Sequence, residues 1–365
     1  MATKVTFHFL DVGMGDGTLV IMGEGKNTQI ALIDFGVQPF TKFKVGAEDA
    51  LRFLTRTIAE ISDTDRNLPG PYLDHLFITH PDQDHYNRIP HLVASNYGSF
   101  VGKYTGKTLS IGRTTYGGAA TAYGTLISGM ASYCPRIDTL GDAAHSAVSS
   151  TGEVEPLALF VNDTVKVYLL SSNYPRKSSP ANPTSLCLMF ENDANRKMIF
   201  LGDAEGNVEA EIINNFGGTI LKSTGLKLGH HGSQAGTTVN WLNAVKPEAV
   251  FASGDMVWSH PYCDTLQRVI DSGYLATGKD RYLCCGGSKG EYKEYFNKNT
   301  KLQIGVNLWY VVKDDPSLKM KSTDPEDLNT EDVAMGVTLG VQWAMDFEAD
   351  GSVDLYHTDT QEPAS

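Results

Sequence analysis

The chain has 365 residues, 41% of them hydrophobic, which supports a substantial core in one large or two ordinary domains. Its net charge is −13, but Ser322 to Ser365 holds eleven acidic residues and no Lys or Arg, so that stretch carries −11 and the other 321 residues only −2. A nearly neutral body argues against tight electrostatic binding of duplex nucleic acid, and the acidic stretch reads as a solubility feature.

Met1 to Leu10 has no basic start, long apolar run or small-residue cleavage site, so no signal peptide is expected there. No apolar run reaches the roughly 18 residues a membrane helix needs. The five cysteines, Cys134, Cys187, Cys263, Cys284 and Cys285, are odd in number and scattered. That is a poor disulfide framework, and a reducing, cytoplasmic location is expected.

In chain order, Val5 to Leu10 and Thr18 to Met22 read as strands joined by the Gly-rich turn Gly13 to Gly17. Ile30 to Ile33 is a further strand. Ala47 to Ile61 has helical spacing, with Leu51, Leu54, Ile58 and Ile61 on one face. Leu76 to Ile78 is a short buried strand, and 97–150 is rich in Gly, Ser, Thr and Ala. Val165 to Leu170, Ser185 to Phe190, Met198 to Leu201, Leu226 to Leu228 and Ala249 to Ala252 are predicted strands. Val208 to Asn215, Thr238 to Val245 and Cys263 to Ser272 are predicted helices. Leu302 to Val312 and Val337 to Phe347 look like long strands, the second turning at Asp350-Gly351 into Val353 to Tyr356 as a hairpin. Many strands are separated only by turns. That pattern predicts an α/β (α+β) fold of mixed sheets covered by helices, not a doubly wound parallel sheet.

Three apolar strands end at once on metal-type side chains: Phe77-Ile78-Thr79-His80, Ile199 to Asp203, and Leu226 to His230. Strand ends are rigid and can aim ligands at one point. His80-Pro81-Asp82-Gln83-Asp84-His85 offers four ligands in six residues. His80 and Asp82 share a direction on extended backbone, while Asp84 and His85 turn toward a second position. Asp203 is the candidate bridging carboxylate, and either His230 or His231 closes the site. Imidazole and carboxylate suit Zn, Mn or Fe.

The hexapeptide resembles the variant of the metallo-β-lactamase signature found in the soluble hydrolase domain of the competence protein ComEC. Further segments resemble the same group in the same order: Leu10 to Asp16, Leu32 to Gly36, Asn182 to Ser185, Leu201 to Glu205, Gly229 to Ser233, and Ser259-His260-Pro261. The matches span about Val5 to Leu275. The resemblance implies a four-layer αββα sandwich with two divalent ions, Mn or Zn, at one edge of the paired sheets. A hydrolase domain at 1–279 and a C-terminal β-rich extension at 280–365, with a hairpin and the acidic tail, are expected. The implied metal residues are His80, Asp82, Asp84, His85, Asp203 and His230. Asp84, His231 and His260 are the candidate catalytic groups, the histidines as proton donors. Asp16, Asp34, Asn182, Ser185 and Ser233 are the candidate substrate-binding or supporting residues.

The chain departs from the group's pattern at Met14, usually Gln, and at Asn87-Arg88, often Gly-Gly. Arg88 reads as a surface arginine ahead of a substrate contact. Asp82 and Asn182 stand where the wider superfamily has histidine, and the exchange of nitrogen for oxygen favours harder ions such as Mn.

The function expected is a two-metal phosphodiesterase or nuclease acting on an anionic phosphodiester, nucleic acid included. The alternatives are hydrolysis of small esters or phosphocholine-type substrates, or a partner module of a larger system. A homodimer or protein partner would use the C-terminal region. No Walker loop is present. Between Tyr97 and Arg136, Lys103, Lys107, Arg113 and Arg136 give +4 with no acidic residue, interleaved with Tyr97, Tyr104, Tyr116, Tyr123 and Tyr133. These tyrosines read either as half-buried core around a helix at Ala122 to Ala131, the preferred reading, or as a stacking path for a polynucleotide.

Overall fold

The computed structural model describes residues 3–12, 15–38, 45–140, 146–148, 154–161, 165–173, 182–217, 220–253, 260–274, 280–286, 291–297, 302–304, 341–350 and 352–359. The strands are β1 (Val5–Phe9), β2 (Gly17–Met22), β3 (Gln29–Phe35), β4 (Tyr72–Ile78), β5 (Ser110–Tyr116), β6 (Ile137–Thr139), β7 (Ser146–Val148), β8 (Val154–Val161), β9 (Val165–Ser171), β10 (Cys187–Asn192), β11 (Lys197–Phe200), β12 (Gly225–Lys227), β13 (Ala249–Ala252), β14 (Asp280–Gly286), β15 (Glu291–Asn297), β16 (Leu302–Ile304), β17 (Val341–Phe347) and β18 (Val353–Asp359). The helices are α1 (Val45–Glu60), α2 (Gln83–Tyr86), α3 (Ile89–Val93), α4 (Leu126–Gly129), α5 (Gly206–Phe216), α6 (Val239–Val245) and α7 (Cys263–Asp271).

Two eight-stranded mixed sheets carry the fold. Their orders are β18-β17-β1-β2-β3-β4-β5-β6 and β16-β13-β12-β11-β10-β9-β8-β7. β14 and β15 form a separate ribbon. The sheets meet through an aromatic core. Phe7 of the first sheet lies 5.8 Å from Phe190 and 5.9 Å from Phe200 of the second, and Phe9 stacks on Phe251 at 3.9 Å. Burying each such ring contributes about 1.5–3 kcal/mol relative to leaving it exposed.

The outer face of the first sheet packs on α1 through Ala50, Leu54 and Ile58 at i, i+4 and i+8. Its buried stripe is centred on Ala47, Ala50, Leu54 and Ile58, with Leu51 and Ile61 partly buried at its flank, a rotation from the expected face. The second sheet is covered by α5, α6 and α7, whose Val208, Ile212, Trp241, Leu242, Leu266 and Val269 join the inter-sheet core. The arrangement is a four-layer αββα sandwich, the one that the metallo-β-lactamase resemblance implies.

The C-terminal hairpin forms as expected from its turn. β17 pairs antiparallel with β1 in the register Val5↔Phe347, and Lys4 Nζ holds Asp346 at 2.9 Å and Glu348 at 2.8 Å. Of the strand expected at Leu302 to Val312, Leu302–Ile304 pairs parallel with β13, and the rest lies outside the described residues. β5 runs through a segment whose Ser, Gly and Thr hid it from a periodicity reading, and β8, an apolar strand, was not among the predicted ones. Among the described residues, no helix is long and apolar enough to cross a membrane.

Candidate metal centre

Three of the supporting strands end at the same edge of the sandwich. β4 leads into Thr79-His80, β11 into Asp203, and β12 into His230-His231. His80, Asp84, His85, Asp203 and His231 are all buried. Ligand-type atoms of His80, His85 and Asp203 lie within 4.8 Å of one another, as do those of Asp84, His85 and His231.

Asp203 faces both ways. Its Oδ2 is 3.6 Å from His80 Nε2, while its Oδ1 is 3.2 Å from His85 Nε2 and 3.6 Å from His231 Nε2. Asp84 Oδ2 lies 3.5 Å from His231 Nε2. Asp82, the residue before α2, is 46% exposed, yet its Oδ2 reaches 3.5 Å from His80 Nε2. The hexapeptide thus turns as its spacing predicts, with Asp82 toward His80 and Asp84 toward His231.

The far nitrogen of each buried imidazole is anchored. Thr79 Oγ1 donates to Asp34 Oδ2 at 2.7 Å and accepts from His80 Nδ1 at 3.1 Å. His85 Nδ1 donates to the same Asp34 Oδ2 at 2.8 Å. His231 Nδ1 donates to the Ser253 carbonyl at 2.9 Å. These acceptors select the tautomer that leaves Nε2 bare. Correspondingly, His80 Nε2, His85 Nε2, His231 Nε2 and Asp203 Oδ1 are buried without a hydrogen-bond partner. Unpartnered buried polar atoms cost about 1–3 kcal/mol each. Four of them converging, three nitrogen and one oxygen, is the donor set a divalent cation satisfies.

Electrostatics point the same way. Burial disfavours charge on Asp203, but His85, His231 and His80 around it hold its carboxyl well below the usual carboxylate range. Burial likewise opposes charge on Asp84, and the His231 contact and His85 outweigh it, lowering that carboxyl too. His85 is raised well above an ordinary imidazole despite burial, because Asp203 and Asp34 flank it. His231 is raised by Asp203 and Asp84 against burial.

Tight backbone approach builds the pocket. A Cβ on Gly36 would lie 2.3 Å from the Asp84 carbonyl carbon, and one on Gly202, at φ +55°, would lie 2.8 Å from Thr79 Cβ. Ser185 Oγ accepts the Asp203 amide at 3.0 Å. His230 and His231 both sit at positive φ, +47° and +52°, a cost of about 1–2 kcal/mol each. This double turn sends the two rings apart. His231 enters the cluster, while His230, 24% exposed, contacts Glu205 Oε1 at 3.0 Å and is 3.9 Å from Asp203 Oδ2.

The other expected residues stand further out. Asn182 Nδ2 lies 3.3 Å from His230 Nδ1. His260 lies 4.9 Å from the His230 ring, and burial with the neighbouring His231 and His230 pushes it down to about 3. Ser233 donates its amide to His230 O at 2.8 Å and accepts the Ala235 amide at 3.2 Å, closing the loop. Arg88 has 13% of its side chain exposed and pairs with Glu48, so it is not a free surface arginine. Thr79, Ser253 and Glu205 were not singled out from sequence. The one local signal was that Thr79 directly precedes His80.

The tyrosines of 97–136 are core. Tyr97, Tyr104, Tyr116 and Tyr123 are buried, and three hydroxyls donate to carbonyls of Leu92, Leu68 and Gly117. Lys103 pairs with Asp63, and Arg113 and Arg136 share Asp138, which offsets part of the charge that looked unopposed in sequence. The stacking path is therefore overturned. The expected helix at Ala122 to Ala131 is instead short turns around α4.

No protein-family model matches the chain. It is 25% identical over 314 residues to ComE operon protein 3 of Bacillus subtilis (strain 168), covering 81% of this chain and 35% of that protein, so it spans about a third of that relative's length. Among solved structures it is similar to the metallo-β-lactamase fold protein YhfI from Bacillus subtilis, with 10% identity, a TM-score of 0.42, and coverage of 80% of this chain and 100% of that one. It is also similar to a long-form RNase Z from yeast, with 10% identity, a TM-score of 0.36, and coverage of 68% and 37%.

Proposed function

We propose that this chain of metallo-β-lactamase fold is a divalent-metal-dependent hydrolase acting on phosphodiesters, polynucleotides included. The observation that carries the reading is the convergence of His80 Nε2, His85 Nε2, His231 Nε2 and Asp203 Oδ1, buried and without hydrogen-bond partners. The sequence resemblance to the ComEC hydrolase domain supports the phosphodiester class.

In this reading His80, Asp82 and Asp203 would hold one cation, and Asp84, His85 and His231, with Asp203, would hold a second. His231 replaces His230 as the ligand, because its ring is the one inside the cluster. Bound cations of this kind supply Lewis acidity, activating water and neutralising charge on attacked and leaving oxygens. The chain's own residues do the positioning. Asp34 and Thr79 orient His85 and His80, and the Ser253 carbonyl orients His231. Asp203, with one oxygen toward each position, sets their spacing. His230, tied to Glu205, and His260 stand at the rim, where a substrate's leaving group would pass.

The test is to strip the protein with chelator, restore Mn or Zn, and assay bis-p-nitrophenyl phosphate, single- and double-stranded DNA, and simple esters. Metal-dependent turnover of the diesters is expected. Turnover of esters alone would replace this reading with the ester-hydrolase alternative.

A further inference from the structure

Lys227 is the one lysine or arginine buried among the described residues. It ends β12, four positions before His231. Its Nζ pairs with Asp16 Oδ2 across 211 residues of sequence, and each side chain is only 5% exposed. Asp16 directly precedes β2 of the first sheet and Lys227 ends β12 of the second, so the pair links the two sheets.

Asp16 is in turn tied to a ligand. Its amide donates to the Asp84 carbonyl at 2.9 Å, and its own carbonyl accepts the Gly36 amide at 3.0 Å. Lys227 therefore holds, through one carboxylate, the peptide of Asp84, while its own backbone leads directly to His231. Asp84 and His231 approach from opposite sheets, with Asp84 Oδ2 3.5 Å from His231 Nε2. A buried charge that loses its partner is strongly destabilising, so neither member of the pair is free to drift. The ammonium also answers the charge of a further close group. Asp16, Asp34 and His85 present ligand-type atoms within 4.8 Å of one another, and Lys227 pairs with one of the two carboxylates, Asp16.

We propose that Lys227 is a positioning residue: through Asp16 it sets the separation of Asp84 and His231, and with it the affinity of the cation position those two share with His85. The proposal rests on the metal-centre reading above.

The test titrates the full-length metal-free chain with Co²⁺, followed by visible absorption and calorimetry, for the parent, Lys227→Met and Asp16→Asn. Met keeps the length and apolar bulk of the lysine stem, and Asn keeps the shape and main chain of Asp16. The parent is expected to bind two ions. In each variant one ion should bind nearly as in the parent and the second at least about tenfold more weakly, as when a supporting partner of a ligand is lost. With bis-p-nitrophenyl phosphate, kcat should fall while KM stays near the parent's. Two ions bound with parent affinity would overturn the proposal. So would equal weakening of both ions, or failure of both variants to fold by circular dichroism, since each marks a general structural role. If only Lys227→Met fails to fold, Asp16→Asn decides. A parent that binds no Co²⁺ rejects the metal-centre reading itself, which is a separate result.

Discussion

His85 Nδ1 lies 2.8 Å from Asp34 Oδ2, and the same oxygen takes the Thr79 hydroxyl at 2.7 Å. One buried carboxylate thus fixes two neighbouring imidazoles, His85 directly and His80 through Thr79. Asp34→Ala should lower metal affinity or activity by about 10–100-fold, the usual effect of removing an outer partner of a ligand. Chelator competition on the variant measures this. Affinity unchanged from the parent would show that packing alone orients the rings.

Asp203→Ala removes the group that both positions share. Turnover should drop by about 1000-fold or more, because neither cation keeps its spacing to the other. Elemental analysis should find fewer than two ions per chain, with secondary structure close to the parent's by circular dichroism. Two ions and full activity would reject the bridging role.

Asp82 makes its position richer in oxygen than a histidine would. Mn should therefore activate the stripped protein better than Zn. Rescue by Zn with Mn inert would contradict this reading of Asp82. The companion variant Asp82→His should move the preference toward Zn.

Acidity and metal compete for the same nitrogens. In the metal-free protein His85 and His231 are raised above the ordinary imidazole value. A raised folded pKa adds stability that is fully present below the unfolded value of about 6.5 and is lost as pH climbs through the folded value. A cation must displace those protons, so its affinity rises with pH. The increase in Tm on adding metal should then be larger at pH 8 than at pH 6. An equal or smaller increase at pH 8 would mean these imidazoles are not ligands.

Much of the site was legible in the sequence because its information is local. His80 to His85 spans six positions, and the extended-then-helical turn at Asp82 separates its ligands by backbone geometry alone. Asp203 and the histidine pair were marked by strands ending on metal-type side chains. The hairpin that closes the first sheet was likewise visible in its Asp350-Gly351 turn, though its docking on β1 was not.

What only the tertiary structure decided depends on distant partners. Which of His230 and His231 enters the cluster is set by two left-handed residues and by a carbonyl of Ser253, none of which follows from a Gly-His-His-Gly string. The tyrosines and cations of 97–136 read either as core, the preferred reading, or as a path, and the choice for the core rests on the burial of the rings and on Asp63 and Asp138 beside three of the cations. Asp34 reaches His85 across 51 positions and Lys227 reaches Asp16 across 211. A linear pattern records the presence of such charges. Whether a buried charge is neutralised, and by what, is fixed only when the two sheets close over it.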